Sequence, residues 1–233
     1  MSRRRPRVRV PSLPPISSTL EMLFNLCYIL PVNINFKSKA QLWFPTTIFQ
    51  VTLDDSSKKI INEEILNCIK DTVENKEFKK SQYVNTNTNL HQLDSFKRTN
   101  SFFNSAILEY LKFLKVDHYK FEITGCWANI SRRNFSHHNH SHQNNYISGV
   151  YYCKTDKGKT DKIHFNDPRE QNKVIIPIPS EQNIYNCNGA LLDATEGVAY
   201  LFPSWLRHEV PVHKSDEDRI SVAFNAMFTD VYG

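Results

Sequence analysis

The second half of this chain is a succession of short strand-like segments, and that pattern restricts the fold more than any other feature. From Tyr119 onward, runs rich in β-branched and aromatic residues alternate with Asn, Gly, Pro and Asp. The runs are YKFEITGCWANI, YISGVYYC, KIHFN, KVIIPI, GALLDA, GVAYLFP and RISVAFNAMF. Many short strands separated by such turns predict an antiparallel sandwich or barrel.

Helical patterns precede these strands. A strand is predicted over residues 41–53, followed by an amphipathic helix that Ser56 or Ser57 can cap and by a second helix over about 101–114. The apolar residues that recur along the two helices are Ile61, Ile65, Ile69 and Val73, then Phe103, Ile107, Leu111 and Leu114. The polar stretch between the helices, 83–100, is predicted to be a loop.

Composition and charge exclude several classes of protein. With 233 residues, 40% of them hydrophobic and 12% aromatic, the chain predicts one packed domain. The formal charge of +5 owes much to the arginines among the first eight residues, so no dedicated nucleic-acid surface is expected. No stretch offers the roughly 20 apolar residues that cross a bilayer. Five scattered cysteines without a Cys-x-x-Cys pair fit a reducing cytoplasm.

Histidines are concentrated between His137 and His142. His140 and His142 are two positions apart, so on an extended segment their side chains point to the same side and can share one metal ion. A third ligand from a distant segment, His208, would complete one face of an octahedron, as in non-haem Fe(II) oxygenases. Taken alone, the cluster fits a solvated polar loop or an adventitious metal binder equally well.

Arg219 and Ser221 follow His208 on a predicted strand. A guanidinium binds a carboxylate through two parallel hydrogen bonds, and the Ser221 hydroxyl on the same strand face adds a donor. The pair therefore predicts a site for a dicarboxylate such as 2-oxoglutarate. An arginine on a strand is more often a surface ion-pair partner, and acidic residues at 216–218 are available for that role.

Longer segments carry more information than these short motifs. In order they are WANISRRNF (127–135), HSHQNNYISGVYY (140–152), FNDPR (165–169), LFPSWLRHEVPVH (201–213) and DRISVAFN (218–225). Together they resemble the Fe(II)/2-oxoglutarate-dependent oxygenases of bacteria and their phages. LWFPTTIFQVTLD, at 42–54, resembles the opening strand of that family. The resemblance implies one domain over 41–233, with helical support at about 57–115 and a core at about 119–229. Residues 1–40 do not match the family, and their basic, Pro-rich composition predicts an extended and mobile segment.

The resemblance also implies a fold and a site. The fold would be mainly β, a double-stranded β-helix or cupin-like jelly roll with helices outside one sheet. Fe(II) would be bound by His140, His142 and His208, and 2-oxoglutarate by Arg219 and Ser221, with ascorbate as a candidate reductant. Asn129 and Tyr151 are expected to line the same pocket and to contact the cosubstrate. A homodimer is compatible with this fold, and the loops at 83–100 and 154–162, which would border the entrance, do not identify the substrate.

Two points stay open at the level of sequence. Counting forward from Phe135 favours His138 and His140 as the ligand pair, whereas counting back from Ser148 favours His140 and His142. Most members of the wider superfamily carry a carboxylate where this chain has His142. A three-histidine dioxygenase that needs no 2-oxoglutarate is therefore an alternative, and so is a non-catalytic jelly roll that binds zinc or nickel.

Overall fold

The computed structural model describes residues 37–41, 43–74, 80–156, 161–169, 174–175 and 177–230. The chain divides into two units, Met1–Pro45 and Thr46–Gly233, and every helix and strand below belongs to the second. Most of the basic extension, residues 1–36, lies outside the described residues, and so does the expectation that it is mobile.

Strands dominate the second unit. They are β1 (Phe49–Thr52), β2 (Tyr83–Asn85), β3 (Phe121–Ser131), β4 (His137–His140), β5 (Ile147–Lys154), β6 (Lys162–Asn166), β7 (Gly189–Asp193), β8 (Val198–Pro203), β9 (His208–Val210) and β10 (Arg219–Phe228). The α-helices are α1 (Asp55–Cys68), α2 (Lys70–Glu74) and α3 (Lys97–Leu114), and two 3₁₀ turns, Leu90–Gln92 and Asp94–Phe96, precede α3.

The strands form two antiparallel sheets. One has six strands in the order β1-β8-β5-β10-β3-β2, and the other has four in the order β4-β9-β6-β7. From β3 to β10 the chain alternates between the two sheets, except where β6 and β7 pair with each other. This interleaving is the jelly-roll arrangement, so the prediction of a mainly β double-stranded helix is confirmed.

A helical layer covers the outer face of the six-stranded sheet. Phe103 of α3 is fully buried there and stacks on Phe224 of β10, with ring centroids 4.2 Å apart. Because side chains alternate along a strand, Arg219 and Ser221 of β10 face the opposite way, toward the four-stranded sheet. A second apolar cluster, which includes Tyr152, Phe165 and Phe202, fills part of the space between the sheets. The remainder of that space is the cavity described below.

Several predicted boundaries are wrong for local reasons. Asp54 caps α1 by accepting the Ser57 backbone N–H at 2.8 Å, and Ser56 and Ser57 instead donate their hydroxyls to the Asp54 carboxylate. The stretch 83–100, predicted to be a loop, contains β2, both 3₁₀ turns and the first residues of α3. A run of three residues is too short for a period-2 pattern to identify β2.

The segment KVIIPI is not a strand where the structure describes it. Residues 174–175 and 177–178 have no strand assignment, and Val174, Ile175 and Ile178 are exposed. Composition alone suggested a strand, but a strand also needs a neighbour to pair with. Among the described residues, no helix is long and apolar enough to span a membrane.

Candidate metal centre

Three histidines meet at one open end of the jelly roll. His140 ends β4 and His208 begins β9, and the two residues face each other in the antiparallel register of those strands. His142 follows β4 by two residues, and its backbone N–H donates to the Ser204 carbonyl at 2.9 Å. The potential ligand atoms of His140, His142 and His208 all lie within 4.8 Å of one another. One ion could therefore contact all three rings.

Backbone carbonyls orient two of the three rings. The Nδ1 of His140 lies 2.8 Å from the His138 carbonyl oxygen, and the Nδ1 of His208 lies 3.0 Å from the Leu206 carbonyl oxygen. A carbonyl can only accept, so each Nδ1 carries the proton and each Nε2 keeps a free lone pair. Two neutral imidazoles with their Nε2 atoms available fit a divalent transition metal.

The alternative ligand pair of His138 and His140 is not the pair that the structure brings together. The side chain of His138 is exposed and is not part of the three-residue cluster, whereas its carbonyl holds His140 in place. His137, by contrast, lines the cavity and stacks on His140 with ring centroids 4.5 Å apart.

Burial favours the uncharged form of two of the clustered rings, His142 and His208. It lowers the pKa of His208 to about 3, and the nearby His140, His142 and His137 lower it further while the Leu206 carbonyl opposes the change. Burial likewise lowers the pKa of His142 to about 4, with a smaller contribution from His140 and His137. The neutral form is the one that binds a metal, so these two rings need not lose a proton near neutral pH.

The cavity beside the histidines contains no acid among its described lining residues. The lining consists of Tyr83, Trp127, Asn129, Ser131, Phe135, His137, His140, His142, Gly149, Val150, Tyr152, Ile163, Phe202, His208, Val210, Arg219, Ser221 and Ala223. Arg219 supplies the formal positive charge of this lining. A divalent cation bound here would keep its full charge, because no carboxylate ligand offsets it, and would favour an anionic co-ligand.

Arg219 and Ser221 both face this cavity from β10, in the orientation that the sequence predicts. The Nη2 atom of Arg219 lies 3.2 Å from the Ser131 hydroxyl, and its Nη1 atom lies 3.4 Å from Asp161 Oδ1. Arg219 is only 3% exposed. Arg219 is thus held inside the fold and is not a surface ion-pair partner.

Asn129 also lines the cavity, directly opposite Ser221 in the pairing of β3 with β10. Its Oδ1 accepts the Tyr83 hydroxyl at 2.6 Å, and the Tyr83 ring stacks on Phe135 with centroids 4.2 Å apart. No sequence pattern indicated that Tyr83 lines the cavity, because the stretch that contains β2 was predicted to be a loop. The amide of Asn129 remains able to donate into the cavity.

The prediction that Tyr151 lines the pocket is wrong. Tyr151 points to the helical layer, where it is fully buried and its hydroxyl donates to Asn62 Oδ1 at 2.6 Å. Its neighbour Tyr152 faces the cavity, as the alternation of side chains along β5 requires. The prediction assigned Tyr151 to the wrong face of β5, because successive residues of a strand point to opposite faces and it was wrong by one position.

The wall beside His208 combines one buried and one exposed aromatic residue. The Phe202 ring lies 4.7 Å from the His208 ring, centroid to centroid, whereas Trp205 is mostly exposed. Asp167, in the FNDPR segment, forms an ion pair with Arg169 at 2.8 Å and is not part of the histidine cluster.

The family of this region follows from comparison with known proteins. Residues 125–225 match the family model described as "Putative 2OG-Fe(II) oxygenase". This part of the chain is a 2OG-Fe(II) oxygenase domain. The matched region contains His140, His142, His208, Arg219 and Ser221, and its family is one of oxidoreductases that use Fe(II) and 2-oxoglutarate. No protein of curated function matches the sequence.

Solved structures show the same fold at low sequence identity. HygX from Streptomyces hygroscopicus, with nickel and 2-oxoglutarate bound, matches with a TM-score of 0.55 and 11% identity over 79% of this chain and 84% of that chain. AviO1 from Streptomyces viridochromogenes Tue57 matches at 0.54 and 9% identity over 79% and 91%. A Pseudomonas putida prolyl-4-hydroxylase matches at 0.50 and 11% identity over 78% and 92%. The chain spans 57% of a Burkholderia pseudomallei oxidoreductase of the 2OG-Fe(II) oxygenase family, at 12% identity and a TM-score of 0.43.

Proposed function

We propose that the protein is an Fe(II)- and 2-oxoglutarate-dependent dioxygenase that hydroxylates a substrate still to be identified. His140, His142 and His208 hold the metal, and Arg219 and Ser221 hold the distal carboxylate of 2-oxoglutarate. The observation that carries the proposal is the position of a buried guanidinium in the same cavity as three clustered imidazoles, with no acid among the described residues that line it. With both groups bound, the oxidative decarboxylation of 2-oxoglutarate by O2, which gives succinate and carbon dioxide, would supply the oxidising power.

The residues of the chain position and shield this chemistry. The carbonyls of His138 and Leu206 accept from Nδ1 of His140 and His208, so that in each neutral ring the Nε2 atom carries the lone pair that can bind the metal. Ser131 holds one side of the Arg219 guanidinium, and Ser221 offers its hydroxyl on the same inner face of β10. Asn129 can donate its amide to a carboxylate, since its carbonyl oxygen is occupied by Tyr83. Phe202 and Tyr152 exclude water from the closed side of the cavity.

The proposal predicts a specific optical signal. Anaerobic titration of the Fe(II)-loaded protein with 2-oxoglutarate should produce the weak visible charge-transfer band of a chelated oxoacid. Arg219→Ala should need at least about tenfold more 2-oxoglutarate to reach the same band, because it removes a charge-assisted bond to the distal carboxylate. Arg133→Ala is the matched control, since Arg133 is exposed and pairs with Asp216.

The same titration separates the proposal from its alternatives. A wild-type protein that binds iron stoichiometrically but gives no band with 2-oxoglutarate would favour a three-histidine dioxygenase that needs no oxoacid. The acid-free lining is compatible with that second class. A protein that binds zinc or nickel but never couples 2-oxoglutarate to succinate would be a non-catalytic metal-binding jelly roll. Cytoplasmic location, a homodimer and ascorbate as reductant remain predictions from the sequence.

A further inference from the structure

A buried charged cluster lies directly behind the cavity. It consists of His213, Asp161 and Arg219, whose side chains are 0%, 1% and 4% exposed. The His213 Nδ1 lies 2.6 Å from Asp161 Oδ1, and its Nε2 lies 2.6 Å from the Glu217 carbonyl oxygen. Arg219 reaches the same Oδ1 of Asp161 from the other side, at 3.4 Å. The proposed 2-oxoglutarate clamp therefore shares a carboxylate with a buried histidine.

The hydrogen bonds of His213 define its charge. The Glu217 carbonyl can only accept, so Nε2 carries a proton. A second proton must lie between Nδ1 and Asp161, because two lone pairs would repel at 2.6 Å. Arg219 contacts the same oxygen and stabilises the ionised form of Asp161, so this proton belongs to Nδ1. His213 is then an imidazolium ion that forms a buried ion pair with Asp161.

This imidazolium changes the charge available to an incoming dicarboxylate. Asp156 is a second buried carboxylate next to Asp161: the Asp161 backbone N–H donates to Asp156 Oδ1 at 3.1 Å, and the Asp156 N–H donates to Asp161 Oδ2 at 3.2 Å. With a neutral His213, Arg219 would be the cation that offsets Asp161 within the His213–Asp161–Arg219 cluster, and its attraction for an incoming anion would be reduced. With a charged His213, the imidazolium offsets Asp161 and Arg219 can pair with a ligand.

His213 also fixes the segment between the metal ligands and the clamp. It lies between β9, which begins with His208, and β10, which begins with Arg219. Its backbone N–H donates to the Phe135 carbonyl, and its carbonyl accepts the Asn134 N–H, both at 2.8 Å. The ring bond to Glu217 closes the end of the segment next to Arg219. Small movements of His213 would thus shift the guanidinium.

We propose that His213 is a positioning residue for the 2-oxoglutarate site: its imidazolium takes the short hydrogen bond to Asp161 Oδ1, at 2.6 Å, so that the Arg219 guanidinium, which lies 3.4 Å from that oxygen, can pair with the distal carboxylate of the cosubstrate. This inference rests on the proposed function. It predicts that replacing His213 weakens the binding of 2-oxoglutarate, which has a distal carboxylate, but not the binding of an oxoacid that lacks one.

The test compares two oxoacids in His213→Gln. Anaerobic charge-transfer titration of the Fe(II)-loaded variant should show a dissociation constant for 2-oxoglutarate raised about tenfold. The constant for 2-oxobutyrate, which has the same chelating end but no distal carboxylate, should stay within about twofold of wild type. His164→Gln is the matched control, because His164 forms a partly exposed pair with Glu209 at 2.9 Å and lies outside the cavity lining. It should leave both constants unchanged.

Each other result has a distinct meaning. Wild-type affinity for 2-oxoglutarate in His213→Gln, or equal weakening of both oxoacids, would overturn the role of His213. A wild-type protein that binds iron but not 2-oxoglutarate would overturn the proposed function, and this inference with it. If the variant does not fold, ¹⁵N-histidine spectra of the zinc-loaded wild type decide. Two protonated ring nitrogens on His213 support the inference, and one overturns it.

Discussion

At the scale of single residues, the cavity depends on which oxygen each polar side chain contacts. The side-chain oxygen of Asn129 accepts the Tyr83 hydroxyl. Arg219 is held by Ser131 and Asp161. Backbone carbonyls orient His140 and His208. None of these contacts follows from the spacing of residues in the sequence. Tyr151 shows the opposite case, since it lies one residue away from the cavity-facing position and its hydroxyl is satisfied on the other side of the sheet.

Tyr151→Phe tests that assignment. Removing the hydroxyl leaves the oxygen of a buried Asn62 without this donor, so the free energy of unfolding should fall by about 1–3 kcal/mol in urea titrations. Affinity for 2-oxoglutarate should not change, because Tyr151 faces the helical layer. Tyr185→Phe, at an exposed tyrosine, is the control for stability. If Tyr151→Phe had normal stability but bound 2-oxoglutarate more weakly, Tyr151 would be a cosubstrate contact and this assignment would be wrong.

At the scale of elements, β10 links the helical layer to the site. One face of the strand packs Phe224 against Phe103, and the other presents Arg219 and Ser221 to the cavity. β5 pairs with β10 and must leave room for the Phe224 ring, which explains Gly149: a Cβ placed there would lie 2.2 Å from the ring. The packing of β10 against β5 therefore depends on the absence of a side chain at Gly149.

Gly149→Ala should accordingly destabilise the fold. The added methyl forces Phe224 out of its buried position against Phe103, at an expected cost of about 1–3 kcal/mol in the free energy of unfolding. Gly125→Ala provides the comparison, since a Cβ there would be 3.6 Å from the Trp127 ring, an ordinary contact. Equal stability of the two variants in thermal or urea unfolding would contradict this account of β5 and β10.

At the scale of the whole molecule, the buried histidines tie stability to pH. The pKa of His208 is about 3 and that of His142 about 4 in the folded protein, against 6.5 for an unperturbed histidine. As pH falls below 6.5, the unfolded chain takes up protons that the folded protein excludes, so metal-free protein should lose stability progressively, down to about pH 4 through His142 and about pH 3 through His208. Above pH 6.5, both histidines are neutral in the folded and the unfolded protein, so they should not contribute to the pH dependence of stability.

Urea unfolding in the presence of a chelator, near pH 7 and near pH 5, measures this dependence. The double variant His142→Gln/His208→Gln should lose less stability between the two values than wild type, since it lacks the two groups that the folded state keeps neutral. His138→Gln, at an exposed histidine, should behave as wild type. Identical pH dependence in the wild type and the double variant would contradict the lowered pKa values.

The sequence pattern predicted an antiparallel sandwich or barrel and placed His140 and His142 on one side of an extended segment, because both predictions depend on patterns with a physical period. The jelly roll itself was implied by the family resemblance. Strand alternation and the spacing of His140 and His142 are local, and the position of His208 and Arg219 came from a longer resemblance. Tyr83, Asp161 and His213 could not be predicted in the same way. Each reaches the site through a pairing between distant segments, and β2 and β9 have only three residues each.

The interleaving of the strands also sets when the site can exist during folding. β4 must pair with β9, and β3 with β10, before the histidines and Arg219 come together, and both pairings join segments far apart along the chain. Such high contact order implies slow closure, late in the folding reaction. A nascent or partly folded chain would offer iron scattered imidazoles but no complete centre. Iron would then react with oxygen at this site only after the two sheets have formed around it.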